Sequence, residues 1–219
     1  MFEIQNNLSE NTVLSCEQDT IDRAKDYEGK RFGTRFRTRR LDKIEKVFAR
    51  RLFDMAGSNS HILDIPCGSG RFFNVFSKAE KLTMADYSAN MLKVCEEKFG
   101  ISENVRLIQA DISTIPLPDG SADLCFCMRL FHPMTNDHVR LNALKELARV
   151  SSKYVALSFY NIRCLRFYRR KLLSRKIRGN YITFDHITKL AKQAGLVPVE
   201  RFPKMNLVEQ QCMVIFKKA

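Results

Sequence analysis

Short apolar runs alternate with amphipathic stretches along most of the chain. The runs have the length of strands and end in polar residues or glycine, and the stretches between them carry apolar residues at helical spacing. This pattern predicts strands over 61–65, 81–85, 105–109, 122–127, 154–160, 197–201 and 211–216, and helices over 71–78, 89–99, 137–150 and 184–194. Strands that alternate with helices in this way indicate an α/β fold, a parallel sheet with helices on both faces.

A longer amphipathic helix precedes the first strand. Leu41, Ile44, Phe48 and Leu52 recur at helical spacing, and the pattern ends near Ala56. No repeat, low-complexity tract or linker-like stretch follows. We therefore predict one globular domain over residues 57–219, preceded by an N-terminal helical segment over residues 1–56.

Positive charge is concentrated in two places. The 219 residues carry a net charge of +13. Residues 30–51 have ten basic side chains against two acidic ones, and residues 161–181 have eight basic and no acidic side chains. For 30–51 a solvated helix face is a sufficient explanation. For 161–181 the uncompensated charge indicates an anionic partner, which could be a charged substrate, a membrane surface or RNA.

The composition argues against several protein classes. No apolar run approaches the roughly 20 residues of a membrane-spanning helix. The first 26 residues are polar and acidic and do not resemble a signal or transit peptide, so we expect a cytoplasmic protein. The seven cysteines are scattered without metal-ligand spacing, so we expect reduced, packed thiols and no metal site.

The candidate chemistry lies in the loop after the first predicted strand. Pro66-Cys67-Gly68-Ser69-Gly70 allows a sharp turn and a close approach of a ligand to the backbone. Asp86 ends the next strand, where an acid can accept hydrogen bonds from both ribose hydroxyls, and Asp111 ends the third. Phe73 occupies the place of the third glycine of a dinucleotide site, and no Gly-Lys-Ser/Thr occurs, so NAD and Walker-type sites are disfavoured.

Four segments together resemble a known family. They are 63–72, 85–92, 110–112 and 123–127, in the order and spacing of the class I S-adenosylmethionine-dependent methyltransferases, specifically the small-molecule branch. The resemblance runs from about residue 62 to residue 160 and more loosely to the C-terminus. It implies a Rossmann-like, doubly wound sheet of seven mostly parallel strands, whose last strand, 211–216, is antiparallel.

The resemblance implies a cofactor site for S-adenosyl-L-methionine. Asp64 and the glycine-loop backbone would hold the methionine end, and Asp86 would bind the ribose diol. Tyr87 and Met91 would pack near the adenine, whose amino group would donate to Asp111. The full set implied is Asp64, Pro66, Cys67, Gly68, Ser69, Gly70, Asp86, Tyr87, Met91, Asp111, Ile112, Cys127 and Met128.

The acceptor side has fewer candidates. Cys127 and Met128 would line the floor beneath the sulfonium. His132, just after the fourth strand, is a candidate general base, although a structural histidine is the alternative. Tyr27 lies in the N-terminal segment, which in this family often folds as a lid or cap over the cofactor. Arg129 is a candidate for binding an acidic substrate, and a salt bridge to Asp or Glu is the alternative.

The sequence thus predicts a methyltransferase acting on the oxygen, nitrogen or carbon of a small molecule. The basic segment 161–181 falls where insertions cover the acceptor pocket, and an amphipathic helix there would suit an anionic or membrane-associated acceptor. Its apolar positions are Leu165, Tyr168, Leu172 and Ile177. An RNA-directed methyltransferase is the second hypothesis, although the Asn/Asp-Pro-Pro-Tyr/Phe signature of nucleobase methylation is missing. A cofactor-binding protein or enzyme that transfers no methyl group is the third.

Overall fold

The computed structural model describes residue 25 and residues 36–176, 179–202 and 210–219. The elements of these residues, in chain order, are α1 (Phe36–Ala56), β1 (His61–Asp64), α2 (Phe73–Phe76), β2 (Lys81–Asp86), α3 (Ala89–Phe99), β3 (Val105–Gln109), β4 (Ala122–Cys127), α4 (Asp137–Val150), β5 (Ser151–Asn161), α5 (Leu165–Leu172), β6 (Tyr181–Ile182), α6 (Phe184–Gln193), β7 (Leu196–Phe202) and β8 (Gln211–Lys218). Ile177 lies outside the described residues.

One mixed sheet organises the described chain. Its strand order is β3-β2-β1-β4-β5-β8-β7, with β1 to β5 parallel and β8 antiparallel to both of its neighbours. The predicted Rossmann-like sheet with an antiparallel last strand is confirmed. The predicted count of seven strands misses β6, a two-residue strand that pairs with β5 beyond the end of β4.

Helices cover both faces of this sheet because successive strand residues point in opposite directions. Ile62 and Phe126 belong to the apolar cluster under α1, α2 and α3. Leu63 and Cys125, each next to a residue of the opposite face, belong to the cluster under α4 and α6. All four residues are fully buried or nearly so, which explains why both central strands read as continuous apolar runs.

The first helix after the glycine loop is shorter than the pattern predicts. A helix over 71–78 is wrong, because only Phe73–Phe76 is helical. Turns occupy the flanks, where the Phe73 amide donates to Gly70 and the Ala79 amide donates to Phe76. The aromatic residues still pack inward, and Phe76 meets the ring of Phe126 edge-on at 5.0 Å.

The sheet order places the candidate chemistry at one edge. Strands β1 and β4 are neighbours, and the chain runs outward from β1 to β3 on one side and from β4 to β5 on the other. A reversal of this kind opens a crevice at the carboxyl ends of the strands, which is where parallel α/β sheets bind ligands. Among the described residues, no helix has both the length and the apolar character needed to cross a membrane.

Candidate functional site

The glycine loop folds back over the end of β2. The Cys67 amide donates to the carbonyl of Ala85 at 2.8 Å, and the Gly68 amide donates to Asp86 Oδ2 at 2.8 Å. Gly68 and Gly70 both have positive φ, at 55° and 75°. A Cβ added at Gly70 would lie 2.4 Å from Phe99 Cε2, whereas one added at Gly68 would meet no atom within 4 Å. The loop is therefore packed on one side and open on the other.

Asp64, the last residue of β1, has a buried carboxylate oxygen that lacks a hydrogen-bond partner. The residue is 1% exposed, and Oδ1 has no partner within the described part of the chain. Burial raises the pKa of Asp64 well above its ordinary value, an effect that the Arg71 charge opposes and the Asp86 charge increases. A buried oxygen left without a partner at a ligand edge is an acceptor site for a donor from outside the chain.

Two further acids follow at the ends of β2 and β3. Asp86 is buried, its Oδ1 accepts from the Ser88 amide at 2.9 Å, and burial raises its pKa despite these backbone donors. Asp111 is also buried, and its Oδ1 accepts from the amide and the hydroxyl of Ser113 at 2.8 and 2.7 Å. The three acids lie at the ends of adjacent parallel strands, as the sequence predicts.

Apolar residues lie next to these acids. Met91 is buried in the first turn of α3, where its amide donates to the Ser88 hydroxyl. Tyr87 is half-buried, and its carbonyl accepts from Gln109 Nε2 at 2.9 Å. Ile112 is buried after β3. These positions suit contacts to a flat ring held between the β2 and β3 loops, although the assignment to adenine stays a prediction.

Two buried residues end β4, on the other side of β1. Cys127 is fully buried, and Met128 is 4% exposed. Burial raises the pKa of the Cys127 thiol well above its ordinary value, with smaller contributions from Asp64 and Cys125. Cys127 is therefore a neutral packing thiol rather than a nucleophile, because nucleophilic cysteine must ionise.

Arg129 forms a salt bridge to Glu45, a residue that the sequence analysis missed. Glu45 is fully buried on α1 and accepts from Arg129 Nε at 3.0 Å and from Arg71 Nη1 at 2.6 Å. Asp42 also accepts from Arg71, at 2.8 Å. We call these four residues the buried charge cluster. It joins α1 to the glycine loop and to the end of β4, and a role for Arg129 in binding substrate stays a prediction.

The signal for Glu45 is visible in the helical pattern. Leu41, Glu45, Phe48 and Leu52 are separated by four, three and four residues, so the acid lies on the apolar face of α1. A charged residue on such a face needs a buried partner. The partners are far away in the chain, so the pattern indicates that a pair exists but does not identify it.

His132 begins a row of aromatic rings. Its ring stacks on Tyr160 at 4.2 Å between centroids, and Tyr160 lies 5.4 Å from Tyr181. Tyr181 in turn contacts Phe167 of α5 at 5.0 Å. The row connects the end of β4 to the basic segment, and the general-base role of His132 stays a prediction. Tyr27 lies outside the described residues, so its role as part of a lid also stays a prediction.

The fold and the site together define a Rossmann-like domain whose glycine loop and acids suit a nucleotide-type cofactor. A glycine loop follows β1, acids end the next two strands, and both lie at the switch point of the sheet. Residues 62–153 match the model of a family described as a methyltransferase domain. This match supports the resemblance of residues 62–153 to the class I S-adenosylmethionine-dependent methyltransferases.

Relatives and solved structures agree with this family. An uncharacterised chloroplastic methyltransferase of Arabidopsis thaliana is 29% identical over 155 residues, covering 64% of this chain and 43% of that protein. The ubiquinone/menaquinone biosynthesis C-methyltransferase UbiE of Pseudomonas paraeruginosa is 30% identical over 116 residues, covering 49% of this chain and 44% of that protein. The chain thus spans less than half the length of these two relatives.

A structural neighbour extends the likeness to almost the whole chain. The magnesium protoporphyrin IX methyltransferase ChlM of Synechocystis PCC 6803, with bound SAH, has a TM-score of 0.72 at 14% identity, covering 90% of this chain and 94% of that one. The same enzyme with bound SAM has a TM-score of 0.67. At 14% and 12% identity these neighbours show the fold. The match to a methyltransferase domain supports S-adenosylmethionine as the cofactor.

Proposed function

We propose that this protein transfers a methyl group from S-adenosylmethionine to a small-molecule acceptor. The observation that carries the proposal is the buried Oδ1 of Asp64, which has no partner in the described structure and lies on the strand that leads into the glycine loop. A cofactor with an ammonium group would supply the missing donor. The open side of Gly68 leaves room for that cofactor to approach the backbone.

The residues present fit the cofactor in character and order. Asp64 would hold its ammonium group, Asp86 its ribose hydroxyls, and Asp111 its adenine amino group. The bound cofactor supplies an activated methyl group attached to a sulfonium. The protein then has to align the acceptor and exclude water, and His132 would remove a proton from acceptors that must lose one.

The class of acceptor is supported by relatives and by charge. UbiE is named for ubiquinone and menaquinone biosynthesis, and ChlM for magnesium protoporphyrin IX. All three compounds are small molecules. Residues 161–181, with eight basic side chains and no acid, favour an acceptor that is anionic or membrane-associated. A cytoplasmic location is part of the same proposal. The methylated atom is oxygen, nitrogen or carbon.

Calorimetric titration with S-adenosylmethionine and S-adenosylhomocysteine tests the cofactor site. We expect both to bind the wild type and to bind an Asp86→Ala variant about tenfold to a hundredfold more weakly, because charge-assisted hydrogen bonds are lost. Asp123→Asn is the matched control, since Asp123 accepts from the His61 amide at the amino ends of β1 and β4, away from the glycine loop. No binding by folded, ligand-free wild type contradicts the proposal.

Methyl-labelled cofactor added with a cell extract tests the acceptor class. We expect the label in a small-molecule fraction. Label recovered only in RNA contradicts the small-molecule proposal and favours the RNA-directed alternative. Cofactor binding without transfer to any fraction favours a protein that uses the site for another purpose.

A further inference from the structure

Helix α5 has a stripe of exposed apolar side chains on the face that points away from the body of the protein. Leu165, Tyr168 and Leu172 are three and four residues apart and lie on one face, where they are 62%, 56% and 85% exposed. Phe167 lies on roughly the opposite face and contacts the ring of Tyr181 in β6. The inner face of α5 is thus already packed. The outer stripe has nothing in the described structure to cover it.

Basic side chains flank this outer stripe. Arg169 and Lys171 are exposed on either side of it, and neither forms an ion pair within the described residues. Arg170 donates to the carbonyl of Lys176 and so stays close to the helix. An apolar stripe with a base on each side has the pattern of a helix that lies in the plane of a membrane surface.

We propose that α5 docks on an anionic membrane surface. The apolar side chains of Leu165, Tyr168 and Leu172 insert at the boundary between headgroups and acyl chains. The side chains of Arg169 and Lys171 contact lipid phosphates. Charge complementarity selects this occupant, because residues 161–181 contain eight bases and no acid. Arg163 has a partner outside the segment, Asp185 at 3.7 Å, but Arg169 and Lys171 form no ion pair within the described residues. RNA matches the charge equally well, but it gives no reason for exposed leucines.

The place of α5 in the fold links docking to the site. The aromatic row runs from α5 to the end of β4 and consists of Phe167, Tyr181, Tyr160 and His132. A membrane docked on α5 therefore lies on the side of the molecule where the acceptor is expected. This functional reading rests on the proposed methyltransferase activity. The docking itself does not, because it is measured without cofactor.

Vesicle co-sedimentation of the full chain without cofactor tests the docking. We expect binding to mixed phosphatidylcholine–phosphatidylglycerol vesicles, weaker binding at high salt, and little binding to phosphatidylcholine alone. Leu172→Gln should weaken partitioning about tenfold, because burial of one leucine side chain is lost. Arg169→Glu with Lys171→Glu should weaken it about tenfold or more.

Matched control variants separate docking from general surface effects. Ile101→Gln removes another large exposed apolar side chain, and Lys93→Glu with Lys145→Glu reverses two exposed bases on α3 and α4. We expect both controls to bind vesicles like the wild type. Equal losses in control and α5 variants overturn the proposal, as does absence of binding by the full chain.

Two further outcomes assign α5 to another occupant. Binding of RNA that depends on Arg169 and Lys171 but not on Leu172, together with no vesicle binding, assigns the surface to RNA and overturns the membrane proposal. Equal binding to neutral and anionic vesicles overturns the role of the bases. A failed cofactor titration with intact vesicle binding refutes the proposed activity and leaves the docking standing.

Discussion

The two glycines of the loop after β1 differ in what a side chain would meet. Both have positive φ, so alanine at either place costs about 1–2 kcal/mol in backbone strain. At Gly70 the added Cβ also meets Phe99, Cys95 and Met84. We therefore expect Gly70→Ala to lower the free energy of unfolding by about 2–4 kcal/mol, since overpacking adds to the strain. Chemical denaturation measures this loss.

Gly68→Ala is the matched variant, because its Cβ points into open space. We expect it to lower the free energy of unfolding by only about 1–2 kcal/mol. Its methyl group narrows the open side of the loop, so we expect the affinity for S-adenosylmethionine to fall about tenfold, equivalent to roughly 1.4 kcal/mol. Equal stability losses in both variants, or unchanged affinity in Gly68→Ala, contradict this account of the loop.

At the scale of elements, α1 is held to the sheet edge by the buried charge cluster. Glu45 is fully buried, and its partners Arg71 and Arg129 are 8% and 13% exposed at their side chains. Glu45→Gln keeps the shape but leaves two guanidinium groups buried with less compensating charge. We expect the free energy of unfolding to fall by about 3–5 kcal/mol, measured by denaturant titration.

An exposed pair provides the control for Glu45. Glu200 on β7 accepts from Arg51 on α1 at 2.8 Å, and the Arg51 side chain is 54% exposed. Glu200→Gln removes the same kind of charge from the same helix–sheet contact, so we expect a loss below about 1 kcal/mol. A loss at Glu45 as small as the loss at Glu200 shows that α1 is held by its apolar face alone.

The sequence pattern predicted the first and last residues of a helix or strand well where nearby residues determine them. The bounds of α3 and α4 and of β3 and β4 agree with the sequence pattern. The pattern failed at β6, because a two-residue strand owes its existence to pairing with β5 rather than to its own sequence. It also failed at α2, where the turns that follow Gly70 replace the first helical residues.

The site shows the same division between local and long-range information. The placement of Asp64, Asp86 and Asp111 follows from the ends of parallel strands, which a linear pattern can locate. The partnership of Glu45 with Arg129 joins residues 84 positions apart, and it depends on how α1 crosses the sheet edge. The outward stripe of α5 was visible as spacing, but its exposure depends on Phe167 occupying the inner face.

At the scale of the whole molecule, Asp64 makes the free energy of unfolding depend on pH. Its folded-state pKa is raised, so the folded state binds the proton more tightly than the unfolded state does. The free energy of unfolding of the ligand-free protein should therefore fall as pH rises from the ordinary aspartate pKa through the raised one. Asp86, whose pKa is also raised, acts in the same direction.

A cationic cofactor group lowers the raised pKa of Asp64, because an ammonium group stabilises the ionised carboxylate. We expect S-adenosylmethionine binding to release a proton, and its affinity to rise with pH by up to about tenfold per pH unit within the window between the bound and free pKa values of Asp64. Calorimetry in two buffers of different ionisation enthalpy measures the proton released.

The Asp64→Asn variant should bind the cofactor more weakly. It should also remove the part of the proton release that comes from Asp64, leaving the part that comes from Asp86. Asp123→Asn should change neither the affinity nor the proton release, because the pKa of Asp123 is lowered and the residue lies at the amino ends of the strands. Proton release that is the same in Asp64→Asn and the wild type shows that the buried oxygen does not meet the cofactor's charge.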